Sequence, residues 1–423
     1  MRGGIGLVSS RPRAMNTQPR PIYRGRDLAL YLFTRALSNV ASLVQSVAVG
    51  WQVYDLTRTP LALGMVGLAE FLPMFLLTLP AGELADRFDT RRILALTLTI
   101  EAASSAMLLG FAVGPAHHIW AVYGVLVLFG CARGLAGPAQ RSLVPFLVPP
   151  ERLPKAIAWS SSVSQVVVIA GPAIGGFLYA LGPAFAYGAS LLAFLAAALC
   201  MTLLQGRRVD RPAELAHPLE RVKEGVRFVR SRKVMLGAIS LDLFAVLFGG
   251  PMALFPIYAR DILHVGPGGL GMLRSAPAVG AACVALCLAH RPLQRRVGSA
   301  MFAAVAVFGV ATIAFGVSTS FRFSLAALVV LGAADQISVF IRTALVQFAS
   351  PDSMRGRVSA VSALFINSSN ELGEFESGLT AQWFGTVPAV ILGGIGTLAV
   401  VALWMRMFPQ LRTVDRMTDV APT

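Results

Sequence analysis

Among the ionisable residues inside long apolar runs of this chain, Arg35, Arg133, Asp242, Asp335, Glu371 and Glu374 are the first candidates for a functional role. Charge at the middle of a membrane costs at least ~2.5 kcal/mol for Asp or Arg even on the lenient insertion scale, so such residues are retained for binding a charged group or carrying a proton. Glu371 and Glu374, three residues apart, share a helical face. Two carboxylates held that close repel when both are ionised, which suits the pair to carrying a proton. Other reactive types offer less. Cys131, Cys200, Cys283 and Cys287 all fall within predicted helices and read as small buried hydrophobes. Cys283 and Cys287 share a face at i, i+4 but lack His or carboxylate partners, so no metal site is expected. His117 and His118 occupy a short loop. None of Lys155, Lys223 and Lys233 sits in a Gly-Lys phosphate loop, and neither a nucleophile elbow nor a metal-binding helix motif occurs. Enzymatic activity and a cofactor are therefore not expected.

The elements that must hold these charges are membrane helices. The composition is 56% hydrophobic and only 13% charged, with a mean hydropathy of +0.68, whereas soluble domains carry about 25% charged residues. Twelve apolar stretches are long enough for a hydrocarbon core that needs about 20 helical residues per crossing. They lie near 28–55, 61–82, 92–113, 118–147, 155–181, 183–204, 234–258, 268–290, 298–318, 321–349, 357–385 and 387–408. A barrel is excluded, because its strands alternate polar and apolar residues and these runs are continuous. The net charge of +15 raises nucleic-acid binding, but its placement argues otherwise. Of 36 Lys and Arg, only Arg58, Arg260 and Arg322 fall in one set of loops, while Arg35, Arg133, Arg141, Arg274 and Arg342 lie within or at the ends of helices. All the rest fall in the alternate loops and the tails. That bias sets both termini in the cytosol of a multi-pass protein of the plasma, or bacterial inner, membrane, with the bilayer as its partner and no nucleic acid. Residues 1–26 carry six arginines and no apolar core of signal-peptide length, and Met15 is an alternative start.

The chain also repeats. Asp55 followed by Leu63-Gly64-Met65 is echoed by Asp261 followed by Leu270-Gly271-Met272, and Arg141 to Glu151 by Arg342 to Asp352. Arg295 and Arg296 match Arg91 and Arg92, although no acid corresponds to Asp86. The expected organisation is a basic cytosolic tail (1–27), a six-helix bundle (28–204), a linker (205–233), a second six-helix bundle (234–408) and a cytosolic tail (409–423). In the linker Leu219, Val222, Val226 and Val229 recur on one face among nine basic residues, which predicts an amphipathic helix over 218–232 lying on the inner leaflet, with a solvated linker helix as the alternative.

Four local patterns carry a family resemblance that covers about residues 28 to 410. Gly82-Glu83-Leu84-Ala85-Asp86-Arg87, continuing through Asp89 to Arg91 and Arg92, resembles the G-x-L-A-D-R-x-G-R-R loop of the major facilitator superfamily, with Asp89 where glycine is commoner. Gly171-Pro172-Ala173-Ile174-Gly175-Gly176 resembles the core of the GPxxGG motif of its proton-coupled antiporters; the upstream glycines are replaced by Ala158 and Val167. Arg133 with Gly137 is similar to the family's R-x-x-x-G element, and the LGEFESGL run around Glu374 is similar to one in the branch of siderophore and drug exporters that includes the enterobactin exporter. The resemblance implies an all-α protein of twelve transmembrane helices in two pseudo-symmetric six-helix bundles. It implies a monomeric secondary transporter that exports a small amphipathic molecule, siderophore-like or drug-like, in exchange for protons. Gly82, Asp86, Arg87, Arg91 and Arg92 would form a gating loop, and Gly171, Pro172, Gly175 and Gly176 a helix-5 seal. An importer on the same fold, or a non-transporting sensor or scaffold, is the alternative.

Repeat offsets place Arg35 opposite Asp242 and Arg133 opposite Asp335, so that these pairs would face each other across a central cavity. The competing arrangement is pairing within one half, for example of Arg35 or Arg133 with Glu70 or Glu101. Orientation is testable directly: reporters active only in the cytosol should work when fused after Gln205 or Arg412 and fail between Ile262 and Gly266, and the reverse pattern would overturn the assignment.

Overall fold

A computed structural model describes residues 25–114, 118–204 and 218–420, and all its long elements are helices. The first half comprises α1 (Gly25–Thr57), α2 (Pro60–Arg87), α3 (Thr90–Val113), α4 (Ile119–Leu147), α5 (Leu153–Leu181) and α6 (Pro183–Thr202). A 14-residue helix, α7 (Pro218–Ser231), precedes the second half. That half runs through α8 (Lys233–Gly249), the short α9 (Phe255–Ile257), α10 (Gly266–His290), α11 (Val297–Gly316), α12 (Phe321–Ala349), α13 (Asp352–Phe384) and α14 (Thr386–Met407), and ends in the turn α15 (Pro409–Arg412). The result is two related six-helix bundles, α8 and α9 together making one crossing.

Eleven of these crossings are long and apolar enough to span a membrane on composition. The twelfth, α13, has the length, 33 residues, but its middle carries Glu371, Glu374 and Glu376. It packs against α2, α8 and α14, which gives polar side chains on that face neighbours other than lipid. The seventh crossing is not the continuous helix that its hydropathy predicts. Gly250 and Pro251 end α8, a 3-10 turn (Met252–Leu254) leads to α9, and a π-helical turn covers Tyr258–Ile262. Proline cannot supply the backbone donor there, and the freed carbonyls are answered by side chains. Thr312 Oγ1 donates to Gly249 O at 3.2 Å, and Ser377 Oγ donates to Gly250 O at 3.1 Å.

The two halves meet through two crossings, α2 with α13 and α5 with α10, and both are built on facing glycines. A Cβ on Gly378 would stand 2.8 Å from Gly64 Cα, and one on Gly271 would stand 3.1 Å from Gly176 Cα and hard against Pro172 O. Without a side chain at these points the helix backbones touch. Gly64 and Gly271 are the glycines of the sequence repeat, so the echo marks pseudo-equivalent contacts between halves.

Packing differs sharply between the two ends of the molecule. At the end remote from the described chain termini, one hydrophobic cluster joins both halves: Val47, Tyr54, Leu63 and Tyr187 from the first share it with Phe255, Tyr258, Leu270 and Phe315 from the second. Toward the end bearing the termini the cores separate, one around Leu98, Phe129 and Phe194, another around Leu241, Phe302 and Ile341.

One expectation is corrected here: Cys283 and Cys287 are exposed on α10 rather than buried. The apolar face of α7 is shared with the second half, where Val229 is buried with Met235, Ile239, Val346, Val358 and Val361 and Glu224 pairs with Arg357 of α13 at 2.7 Å, while Val222 and Val226 are only partly buried. In the segment after 408, Leu411 is fully buried, and the backbone N–H groups of Val297 and Gly298 donate to Asp415 O and Val414 O. Residues 1–24 and His117 lie outside the described residues.

The glycine contacts give a clean test of the crossings. Gly271→Val should overpack α5 against α10 and destabilise the protein by about 1–3 kcal/mol, lowering the thermal midpoint in detergent, whereas Gly124→Ala, with open space around it, should not.

Candidate functional site

Between the halves lies a cavity of about 450 Å³, formed by α1, α2 and α4 with contributions from the second half. Its lining runs from Gly50 and Leu63 near the closed end to Met74, Gly137 and Gln140 toward the other. Much of the lining is polar: Ser38, Ser42, Gln45 and Ser46 on α1, and the ionisable groups Glu70, Glu101, Arg133, Arg274, Glu371 and Glu374. A polar cavity within the bundle is where membrane proteins keep charge.

The sequence-predicted charges separate into distinct groups. Arg133 on α4 and Glu70 on α2 form an ion pair on the cavity wall. Glu371 and Glu374 line the same cavity from α13, as their shared face predicts, and neither makes an ion pair among the described residues. Asp242 does not face Arg35. It is buried inside the second half, paired with Arg342 and accepting from Ser338 Oγ at 3.4 Å. Asp335, on α12 with Ser338 and Arg342, stands beside that pair rather than across the cavity from Arg133. Arg35 donates from Nε to Ser164 Oγ at 3.1 Å, and from Nη1 to Tyr31 Oη at 3.4 Å. Both expected cross-cavity pairs are therefore replaced by pairing within a half. The repeat gives the pseudo-equivalent position along the chain but not the rotation of each helix about its axis, and rotation decides which partner a side chain meets.

Two groups of the site were not selected from sequence. Arg274, on α10, reaches across to α1, where Nη1 donates to Ser46 Oγ at 2.7 Å. Arg342 neutralises Asp242 and is only 2% exposed. Each was visible as an arginine within an apolar run, which is the one signal available for it.

At the closed end the halves are tied by charge. Asp55 pairs with Arg260, Tyr54 Oη donates to the Asp261 carboxylate, and Arg58 lies 3.5 Å from Asp55 and 3.7 Å from Asp261. The guanidinium of Arg260 also stacks over Trp51. The π-helical turn at Tyr258–Ile262 is what presents Arg260 and Asp261 to α1.

The loop motif resolves in part. Gly82 has open space around it, so close helix approach does not explain it in this arrangement; the side chains of Asp86 and Arg87 lie outside the described residues. Asp89, the departure from the family pattern, caps α3 by accepting from Arg91 N at 3.0 Å, and its carboxylate also holds the Arg91 guanidinium. Arg91 in turn donates to Leu204 O at 3.0 Å, fastening the loop to the end of α6. Burial opposes the Asp89 charge, but the hydrogen bonds from Arg91 and the charges of Arg91 and Arg92 outweigh it and hold its pKa below the ordinary value. Arg92 is exposed. In the second half the missing acid comes from the far end of the chain: Asp415 accepts from Arg296 N at 3.0 Å and pairs with Arg295 at 3.5 Å. In α5, Gly171 and Gly175 pack against Leu43 and Val44 of α1, while Pro172 and Gly176 form the crossing with α10.

Residues 25–422 match the transmembrane secretion effector family. The chain belongs to it. Among its curated relatives, the macrolide efflux protein A of Streptococcus pyogenes is 23% identical over 389 residues, covering 90% of this chain and 95% of that one. The enterobactin exporter of Citrobacter koseri is 26% identical over 406 residues, covering 93% of each. Among solved structures, a bacterial homologue of the human lysosomal transporter Spinster, in an inward-facing and occupied conformation, superposes with a TM-score of 0.69 at 14% identity, covering 93% of this chain and 99% of that one. The fold is thus that of major facilitator transporters, and the family places this chain among efflux-type membrane transporters.

The pairing of Asp242 with Arg342 makes a sharp prediction. Arg342→Ala should destabilise by about 3–5 kcal/mol by stranding a buried carboxylate, and Arg342→Ala with Asp242→Ala should lose less than the two single changes together. A thermal-unfolding cycle in detergent checks this; additivity, or coupling between Arg35 and Asp242 instead, would overturn the pairing.

Proposed function

We propose that this protein is a proton-coupled exporter of a small amphipathic organic molecule, working by alternating access. The observation that carries the reading is the asymmetry of the interface between halves. A polar cavity holding unpaired carboxylates is sealed at one end by a shared hydrophobic core and a charge lock, and its lining continues toward an end where the cores are separate. The excess of Lys and Arg in the loops and tails of that second end supports a cytosolic placement for it, which makes the conformation inward-open with both termini cytosolic. Export then requires the Asp55, Arg58, Arg260 and Asp261 lock to break while the inner ends close, the two glycine crossings serving as pivots.

Glu371 and Glu374 are assigned to proton carriage, since they face the cavity with no direct ion pair among the described residues; Arg133 with Glu70 forms the neighbouring charged wall. Asp242, paired with Arg342, and Asp335 beside that pair form a second buried acidic group inside the second half. Arg35 tethers α1 to α5 and is assigned to conformational change rather than to the proton path. The driving force is sufficient: one proton entering down ~150 mV releases roughly 3.4 kcal/mol at ~2.3 kcal/mol per 100 mV, enough to hold a neutral cargo about 300-fold higher outside. No cofactor enters this scheme. Export is favoured over import by the efflux relatives and by the α5 glycines that close against α1 and α10.

Reconstitution in liposomes with an imposed pH gradient tests the coupling. Glu374→Gln should abolish gradient-driven flux while sparing exchange of cargo down its own gradient. Wild-type coupling in that variant and in Glu371→Gln would remove α13 from the proton path, and absence of flux for any cargo would favour a sensor or scaffold.

A further inference from the structure

Helix α7 carries a face that the transport scheme leaves unused. Its docked side is fixed tightly: a Cβ on Gly225 would stand 2.8 Å from Val361 Cγ2 and 3.0 Å from Arg357 O, Val229 is buried, and Glu224 pairs with Arg357. The face beside it is open. A groove of about 530 Å³ runs there, lined by Val222 and Val226 together with Lys223, Arg227 and Arg230. Positions 223, 227 and 230 follow i, i+4, i+7 and so share one side of the helix. All three basic side chains are exposed, and none makes an ion pair among the described residues. The acids of α7 do not neutralise them: Glu224 is engaged by Arg357, and Glu220 is exposed with no ion pair among the described residues.

The depth of this face is set by the chain itself. Arg232 alone separates α7 from α8, the membrane crossing that starts at Lys233. At no more than ~3.6 Å per residue, three residues hold Arg230 within about 11 Å of that entry point. The helix cannot lean away into water either, because Val229 packs among Met235 and Ile239 of the first two turns of α8. Half-buried valines beside lysine and arginine at this level match the surface of a phospholipid layer, where apolar groups and side-chain stems meet the start of the acyl chains and the cationic tips meet phosphate. A soluble anion would satisfy the charges but not the valines. Arg232 and Lys233, both exposed, extend the basic cluster toward the bilayer.

We propose that α7 is a docking site for an anionic phospholipid of the inner leaflet, its phosphate held by Lys223, Arg227 and Arg230 and the start of its acyl chains lying along Val222 and Val226. The cytosolic placement of this end supplies only the leaflet; the site needs the bilayer, and neither proton coupling nor a particular cargo. Because α7 is locked to α13 through Gly225 and Glu224 and also touches α2, a bound lipid acts on both helices of one crossing between the halves. Lipid charge at the inner surface thereby bears on how freely the inner ends move.

Native mass spectrometry of the full-length protein in detergent, titrated with phosphatidylglycerol or phosphatidylcholine, measures the binding. Phosphatidylglycerol should bind more tightly. Lys223→Gln, Arg227→Gln and Arg230→Gln together should weaken it about 100-fold, at roughly fivefold for each basic side chain near an anionic surface, and leave phosphatidylcholine unchanged. Removing the same charge from other exposed arginines of that end, with Arg291→Gln, Arg406→Gln and Arg412→Gln, should cost far less. Equal loss in the two triple variants would reduce the effect to the general field of a basic surface and overturn the site, as would equal affinity for the two lipids. Competition by glycerol phosphate at the lipid's own concentration would assign the groove to a soluble anion and overturn the membrane as its source. Should the α7 variant not fold, hydrogen exchange in the wild-type protein decides: α7 amides should exchange more slowly in phosphatidylglycerol nanodiscs than in phosphatidylcholine ones, and identical rates would overturn the docking. Each readout is independent of transport, so failure of the coupling scheme and failure of this site are distinguishable.

Discussion

Charge inside a hydrocarbon layer persists only beside a counter-charge or a water-lined space, and much of this structure follows from that constraint. Asp242 and Arg342 take the first solution, deep in the second half. Glu371 and Glu374 take the second, and they constrain the helix that carries them: the face of α13 that bears them is too polar for lipid and turns inward, with α2, α8 and α14 packed beside it. That packing brings α13 against the first half, where Gly378 meets Gly64. The residues that make the cavity chemically active thereby dictate one of the two places where the halves touch.

Contact between the halves is strongest at the end remote from the described chain termini. The far end combines a shared apolar core with opposed Asp and Arg residues from α1 and the π-helical turn. Burial favours closure, while the exposed parts of the charge lock contribute little net stability because water and salt compete for them. Such a lock fixes register without making closure irreversible. At the opposite end the bundles have separate cores, and two acidic clamps, Asp89 on Arg91 and Asp415 on Arg295 and Arg296, stiffen equivalent corners of each half. The pseudo-symmetry is thus one of position rather than of sequence, since one half draws its acid from the adjacent loop and the other from the segment after α15.

Hydrophobic run length, basic-residue placement and glycine spacing together determined the helix count, the division into halves and the presence of α7. These properties are local: a helix needs only its own residues to satisfy its backbone in lipid, and the twelve-fold pattern is written along the chain. The identity of the cavity carboxylates on α13 was legible for the same reason, because Glu371 and Glu374 at i, i+3 share a face whatever surrounds them. The break at Gly250 and Pro251, by contrast, was hidden by the apolar side chains that flank it, although Pro251 itself was the available signal.

Only the tertiary structure decided the partners. Helix rotation assigned Asp242 to Arg342, left Arg35 to Ser164 and Tyr31, and carried Arg274 across the interface to Ser46. It also turned α7 onto α13 and brought Asp415 to Arg296 over 119 positions of sequence separation. A long apolar helix has weak amphipathicity, so its sequence specifies its axis far better than its azimuth. The azimuth is set by which small residues admit a neighbour and which charge finds its counter-charge, and both are properties of the packed bundle rather than of any one segment.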